Sequence, residues 1–129
     1  MKAQRVPDYL RHILQAIERI ERYTDGMEES AFLNSELVQD AVIRNIEIVG
    51  EASNNIQRVD PQFAAQHDEI PWLVMYTMRN RLSHGYAKVD LEIVWKTIQG
   101  DLPGLYQQVR TLVEDCFTDL FPRGDENSL

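Results

Sequence analysis

The fold is decided by Glu36-Leu37-Val38-Gln39-Asp40-Ala41-Val42-Ile43-Arg44-Asn45-Ile46-Glu47-Ile48-Val49-Gly50-Glu51-Ala52-Ser53-Asn54-Asn55-Ile56-Gln57-Arg58. Leu37, Val38, Ala41, Val42, Ile46, Val49, Ala52 and Ile56 recur at three- and four-residue intervals, the period of one helical face. Ile43 and Ile48 widen that face, as a helix contacted on more than one side requires. The spacing predicts a central helix from Glu36 to about Arg58, with the Ser35 hydroxyl capping its first turn. Asp40, Arg44, Glu47 and Glu51 form a polar stripe along it, with Arg44 placed to pair with either neighbour. Two readings of the stripe stay open: a solvated ion-pair face of little energetic value, or the lining of a cleft or dimer seam.

On the N-terminal side, Leu10, Ile13, Leu14, Ile17 and Ile20 predict a first helix from about Pro7 to Thr24, with Pro7 in its first turn and Gly26 as a stop. A short turn over Glu28 to Asn34 links the two. On the C-terminal side, Val59 to Glu69 reads as a connection with one helical turn. Ile70-Pro71-Trp72 opens a third helix, with Trp72, Leu73, Tyr76 and Leu82 as core candidates and Gly85 as its end. Asp90 caps a fourth helix through Ile93, Val94, Trp95 and Ile98. Gly100 and Pro103 are expected to break or kink it before a last segment carrying Leu105, Val109, Leu112, Val113 and Phe117. No run alternates with period two long enough for a strand. The expected fold is therefore all-α, an up-and-down bundle of four to five helices spanning 1–120 as one domain, followed by a disordered tail over 121–129.

A chain of 129 residues suits one domain, and no apolar run approaches the ~20 residues that span a bilayer. Its N-terminus, Met1-Lys2-Ala3-Gln4-Arg5-Val6-Pro7-Asp8, lacks a signal-peptide apolar segment, so the expectation is a soluble, cytoplasmic protein. The one cysteine, Cys116, excludes an intramolecular disulfide and is expected to be a small buried hydrophobe. His12, His67 and His84 show no metal-ligand spacing, and the expectation is that no metal or other cofactor is needed. Net charge is −8, so any RNA contact must rest on a local basic patch.

The stretch with chemistry in it is Arg79-Asn80-Arg81-Leu82-Ser83-His84-Gly85-Tyr86. On a helix ending at Gly85, Asn80 and His84 share a face, so the Asn80 amide is placed to orient the imidazole, while Arg79 projects from the adjacent strip. The helix C-terminus favours an imidazolium at His84. Cleaving RNA without metal needs a base for the ribose 2′-hydroxyl, an acid for the leaving 5′-oxygen and positive charge for the phosphorane. His84 suits either proton-transfer role and Arg79 supplies charge. One chain brings a single imidazole of this kind, so a two-fold interface joining two Arg79/His84 sets would complete the site. The plain alternative is a capping and ion-pair arrangement at a helix end, with Tyr86 an ordinary packed aromatic.

At these residues the chain resembles the HEPN superfamily, in particular its HepT-like toxins, whose motif is Arg, four to six residues, then His, with a polar residue after the Arg and a Tyr two after the His. Tyr9-Leu10-Arg11-His12-Ile13-Leu14, Gln39-Asp40-Ala41-Val42-Ile43-Arg44-Asn45, Val49-Gly50-Glu51-Ala52, Ile70-Pro71-Trp72 and Val89-Asp90-Leu91-Glu92-Ile93-Val94-Trp95 also look like the family's pattern, over roughly Tyr9 to Leu112. Val74-Met75-Tyr76-Thr77 departs from it in lacking a small glycine, and Asn54-Asn55 replaces a more charged stretch. The resemblance implies a helical homodimer acting as a metal-independent ribonuclease, with Arg79 and His84 catalytic and Asn80 orienting. It also implies a nucleotidyltransferase antitoxin of the MNT type that neutralises the toxin by adenylylating Tyr86. Bulky negative charge there would occupy the phosphate site beside Arg79 and His84. Arg81 and Lys88 are candidate contacts to the RNA backbone, or solvated surface charges. Two other readings compete: a non-catalytic nucleotide- or substrate-binding subunit of a two-component nucleotidyltransferase, using Arg79, Arg81 and Lys88 for phosphates, and a purely structural dimerisation bundle.

Overall fold

The computed structural model describes residues 2–84 and 90–117, with side chains over 5–82 and 90–117. The helices are α1 (Lys2–Tyr23), α2 (Glu29–Leu33), α3 (Glu36–Val59), α4 (Pro61–Gln66), α5 (Trp72–His84), α6 (Leu91–Lys96) and α7 (Leu102–Cys116). A π-helical turn over Thr97–Asp101 joins α6 to α7, so the two run as one. No strand occurs among the described residues. The all-α bundle is as expected, with four long runs and two short helices between them.

The central helix is α3, packed against α1 on one side and α5 on the other, while α7 covers α1. Ser35 caps it, its Oγ accepting from the Val38 N–H at 3.3 Å. Its buried residues include Val42, Ile43, Ile46, Val49, Ala52 and Ile56, together with polar Asn45 and Ser53. Ser53 donates to the Val49 carbonyl at 2.8 Å, and Asn45 accepts from the Arg19 guanidinium at 3.3 Å, which ties α3 to α1. Leu37, expected in the apolar face, is instead 81% exposed. It lies nine residues before Ile46, about two and a half turns, and so on the opposite side.

α1 begins earlier than expected, with Pro7 inside it. Proline forfeits one hydrogen bond there, and burial of Val6 and Pro7 against the core offsets the loss. The helix ends at Tyr23, and the turn that follows passes through Gly26, whose φ of 74° is in the left-handed region. The expected turn after it contains α2, which buries Phe32 with its ring 5.4 Å from that of Trp95. Five residues are too few to show a period.

Asp60 caps α4 through the Phe63 N–H at 3.0 Å. The Trp72 indole N–H reaches the Ala64 and His67 carbonyls, both at 3.1 Å, and so fixes the start of α5. In α5, Trp72, Met75 and Leu82 are buried, but Leu73 is 65% exposed and Tyr76 only half-buried. The face turned inward is the i, i+3, i+7, i+10 strip of Trp72, Met75, Arg79 and Leu82, which excludes Leu73.

Asp90 caps α6 by accepting from the Glu92 and Ile93 N–H groups. Val94 and Ile98 are core residues, while Ile93 is 50% exposed. Gly100 and Pro103 do not break the helix. Proline in an α-helix has no N–H and its ring collides with the carbonyl four residues back; the wider turn at Thr97–Asp101 accommodates both. Leu105, Val109, Leu112 and Val113 then pack inward, and the Tyr106 hydroxyl donates to Glu18 Oε2 at 2.7 Å, tying α7 to α1. Cys116, expected to be buried, is exposed at the end of α7.

Candidate active site

Arg79 occupies a core-facing position of α5, where an apolar residue would ordinarily sit. It fits because α3 has a glycine opposite. A Cβ on Gly50 would collide with Arg79 Cβ and lie 2.7 Å from the Met75 carbonyl oxygen. The glycine therefore lets α3 and α5 approach closely, and the stem of Arg79 fills the space a side chain at 50 would take.

The charged end of Arg79 emerges from this contact and is held twice. Its Nη2 pairs with Glu51 Oε2 at 3.0 Å, and its Nη1 donates to Asn80 Oδ1 at 3.0 Å. The Arg79 side chain is 30% exposed and that of Glu51 59%, so the pair contributes little to stability and much to position. A guanidinium has five N–H donors in a rigid fork, so these bonds leave it able to grip a phosphate oxygen as well. Asn80 was expected to orient His84. The partner found for its carbonyl oxygen is Arg79.

Arg79 stands at one edge of a groove of about 320 Å³ between α1, α3 and α5, lined also by His12, Arg44, Ile48, Glu51, Ala52 and Asn55. Of the polar stripe read on α3, Arg44 and Glu51 line this groove, and Arg44 also pairs with Glu47 at 3.9 Å. Both readings of the stripe therefore hold, each for part of it. The groove's own stripe is Arg44, Ile48, Glu51 and Asn55.

Arg81 is exposed on α5. His84 is the last residue of that helix, and its side chain lies outside the described residues, as does any bond from Asn80 to it. Tyr86, Lys88 and Gly85 lie outside them too, as does the tail expected over 121–129. Among the described residues there is no group of three or more His, Cys, Asp or Glu that could hold a metal ion. No helix among them is long and apolar enough to cross a membrane.

His12, Gly50 and Asn55 are the parts of the site that the sequence did not flag. A glycine inside an otherwise apolar helical face signals a close backbone approach, so Gly50 carried a legible sign. His12 carried none, because its place beside Arg79 arises only when α1 and α5 both pack on α3.

The sequence is similar to those of known proteins. The family model described as "Ribonuclease HepT-like" matches residues 13–112. A protein of Thermococcus cleftensis named "Probable ribonuclease HepT" is 46% identical over 98 residues, 76% of this chain and 86% of the relative. A Methanocaldococcus jannaschii protein named "Gamma-glutamylcyclotransferase and putative RNase MJ0434" is 40% identical over 107 residues, 83% of this chain; the chain spans only 47% of that longer relative. A Caldanaerobacter subterraneus protein named "Putative RNase TTE0752" is 33% identical over 106 residues, 82% of this chain and 92% of the relative. No solved structure matches. With the match running from the middle of α1 into α7 and taking in Gly50, Glu51, Arg79 and His84, the chain belongs to the HepT-like ribonuclease family of the HEPN superfamily.

Proposed function

We propose that this protein is a metal-independent endoribonuclease and the toxin of a toxin–antitoxin pair, working in the cytoplasm as a homodimer whose HEPN domain covers 1–120. The observation that carries the reading is Arg79, held by Glu51 and Asn80 over the glycine contact with α3. A fixed cation at a groove edge is what a developing phosphorane requires.

In the reaction, the ribose 2′-oxygen attacks the adjacent phosphorus, and the bond from phosphorus to the 5′-oxygen breaks. A base takes the 2′ proton and an acid gives one to the departing 5′-oxygen, leaving a 2′,3′-cyclic phosphate and a 5′-hydroxyl. His84 moves one of these protons and Arg79 balances the charge on the non-bridging oxygens. A second copy supplies the other imidazole. Asn80 is the positioning residue, acting on Arg79. Arg81 and Lys88 contact the RNA backbone, and Tyr86 is the residue that an MNT-type nucleotidyltransferase adenylylates to silence the toxin.

The test is incubation of purified protein, shown by mass spectrometry to be unmodified at Tyr86, with tRNA and a generic mRNA in EDTA. Cleavage by the wild type and its loss in folded His84→Ala and Arg79→Ala variants is the expected result. No cleavage by the wild type would turn the assignment toward a nucleotide-binding subunit.

A further inference from the structure

We propose that the groove of His12, Arg44, Ile48, Asn55 and Arg79 seats an unpaired nucleotide of the RNA next to the bond being cut, so that the substrate is single-stranded. This rests on the ribonuclease reading and adds a seat for one base, with two substrate-contacting residues, His12 and Asn55.

The groove's volume of about 320 Å³ is at the small end of ligand sites, suited to one nucleotide. Its composition follows the parts of a nucleotide. The floor, Ile48 and Ala52, is apolar and suits the face of a base. The walls bring an imidazole from α1, able to stack on a base, and an amide from α3, able to hydrogen-bond a base edge. Two guanidiniums, Arg44 and Arg79, suit flanking phosphates.

The groove is also braced. The His12 ring meets the Tyr9 ring edge-on, with centroids 6.1 Å apart. Asn55 Oδ1 accepts from Arg58 Nη1 at 3.1 Å, which assigns its Nδ2 group the donor role toward a base carbonyl. Glu51 is the one carboxylate of the lining among the described residues, and its bond to Arg79 limits its repulsion of phosphate. A base enters such a groove only when its face and edge are free, which duplex RNA does not allow.

The test is fluorescence anisotropy with a labelled 12-nucleotide oligoribonucleotide, 2′-O-methylated to block cleavage, used single-stranded and annealed to its complement. Wild type is compared with His12→Ala and Asn55→Ala, and with Arg110→Gln as a change outside the groove, all checked by circular dichroism. The expected result is that both groove variants bind the single strand about tenfold more weakly, the size of a lost stacking or base contact, while Arg110→Gln binds as wild type and the duplex binds weakly to all. Equal binding of the single strand by wild type and both groove variants, or no preference for it over duplex, overturns the proposal. Because the probe is not cleaved, the two failures are distinguishable: cleavage with His12-independent binding sinks the groove alone, and His12-dependent binding without cleavage sinks the nuclease reading and leaves the groove as a nucleotide-binding site away from any cut bond.

Discussion

Arg79 fills the α3–α5 contact with its stem while its charged head lines the groove, so one residue packs two helices and presents a cation. Glu51 holds that head from the neighbouring helix. Glu51→Gln should therefore lower kcat for RNA cleavage by roughly ten- to a hundredfold with a smaller change in KM, because the guanidinium loses its aim. The cost in unfolding free energy should stay under about 1 kcal/mol in a urea titration, since the pair is partly solvated. Partial recovery of kcat in Glu51→Asp would distinguish aiming from mere structure. At the end of α7, partial desolvation first, and then the nearby Asp115 and Glu69 carboxylates, push the Cys116 thiol up from its ordinary pKa. The thiolate is the reactive form, so Cys116 should alkylate with iodoacetamide at pH 8 more slowly than a free small-molecule thiol, as followed by mass spectrometry. The motif residues were legible because their chemical types are unusual together; Glu51's grip on Arg79 was not, because it joins two helices whose registry no local pattern encodes.

The same substitution should act oppositely in two helices. Gly50→Ala adds a methyl where Arg79 Cβ already lies, so α5 must shift away from α3. This should cost about 1–3 kcal/mol in urea unfolding and reduce cleavage. Gly104→Ala meets no atom within 4 Å and should stabilise by about 0.4–1 kcal/mol in the same measurement. Long helices were readable from periodicity: α3 begins after its Ser35 cap and ends one residue past the expected Arg58. Errors fell where a local rule met a tertiary one. Pro7 was placed in a first turn although the helix starts at Lys2, and Pro103 was expected to interrupt a helix that instead widens by a π-turn. Leu73 was counted as core because it is apolar, yet its register turns it out of the α5 strip that faces α3.

For the whole molecule, the exposed Leu73 and Val74 matter more than their number suggests, each being 65% exposed on the helix that carries the motif. At 100° per residue, Leu73, Thr77 and Asn80 fall on one strip of α5, with Val74 beside it. A homodimer formed through that strip would bring two motifs together and cover these apolar side chains. The double variant Leu73→Glu, Val74→Glu should sediment as a monomer at micromolar concentration and lose RNA cleavage, with helical content unchanged by circular dichroism. The glycine contact between Gly50 and Arg79 also bears on biosynthesis. The two residues meet only after α5 has left the ribosome and docked on α3, so a nascent, truncated or proteolytically opened chain has no aimed arginine.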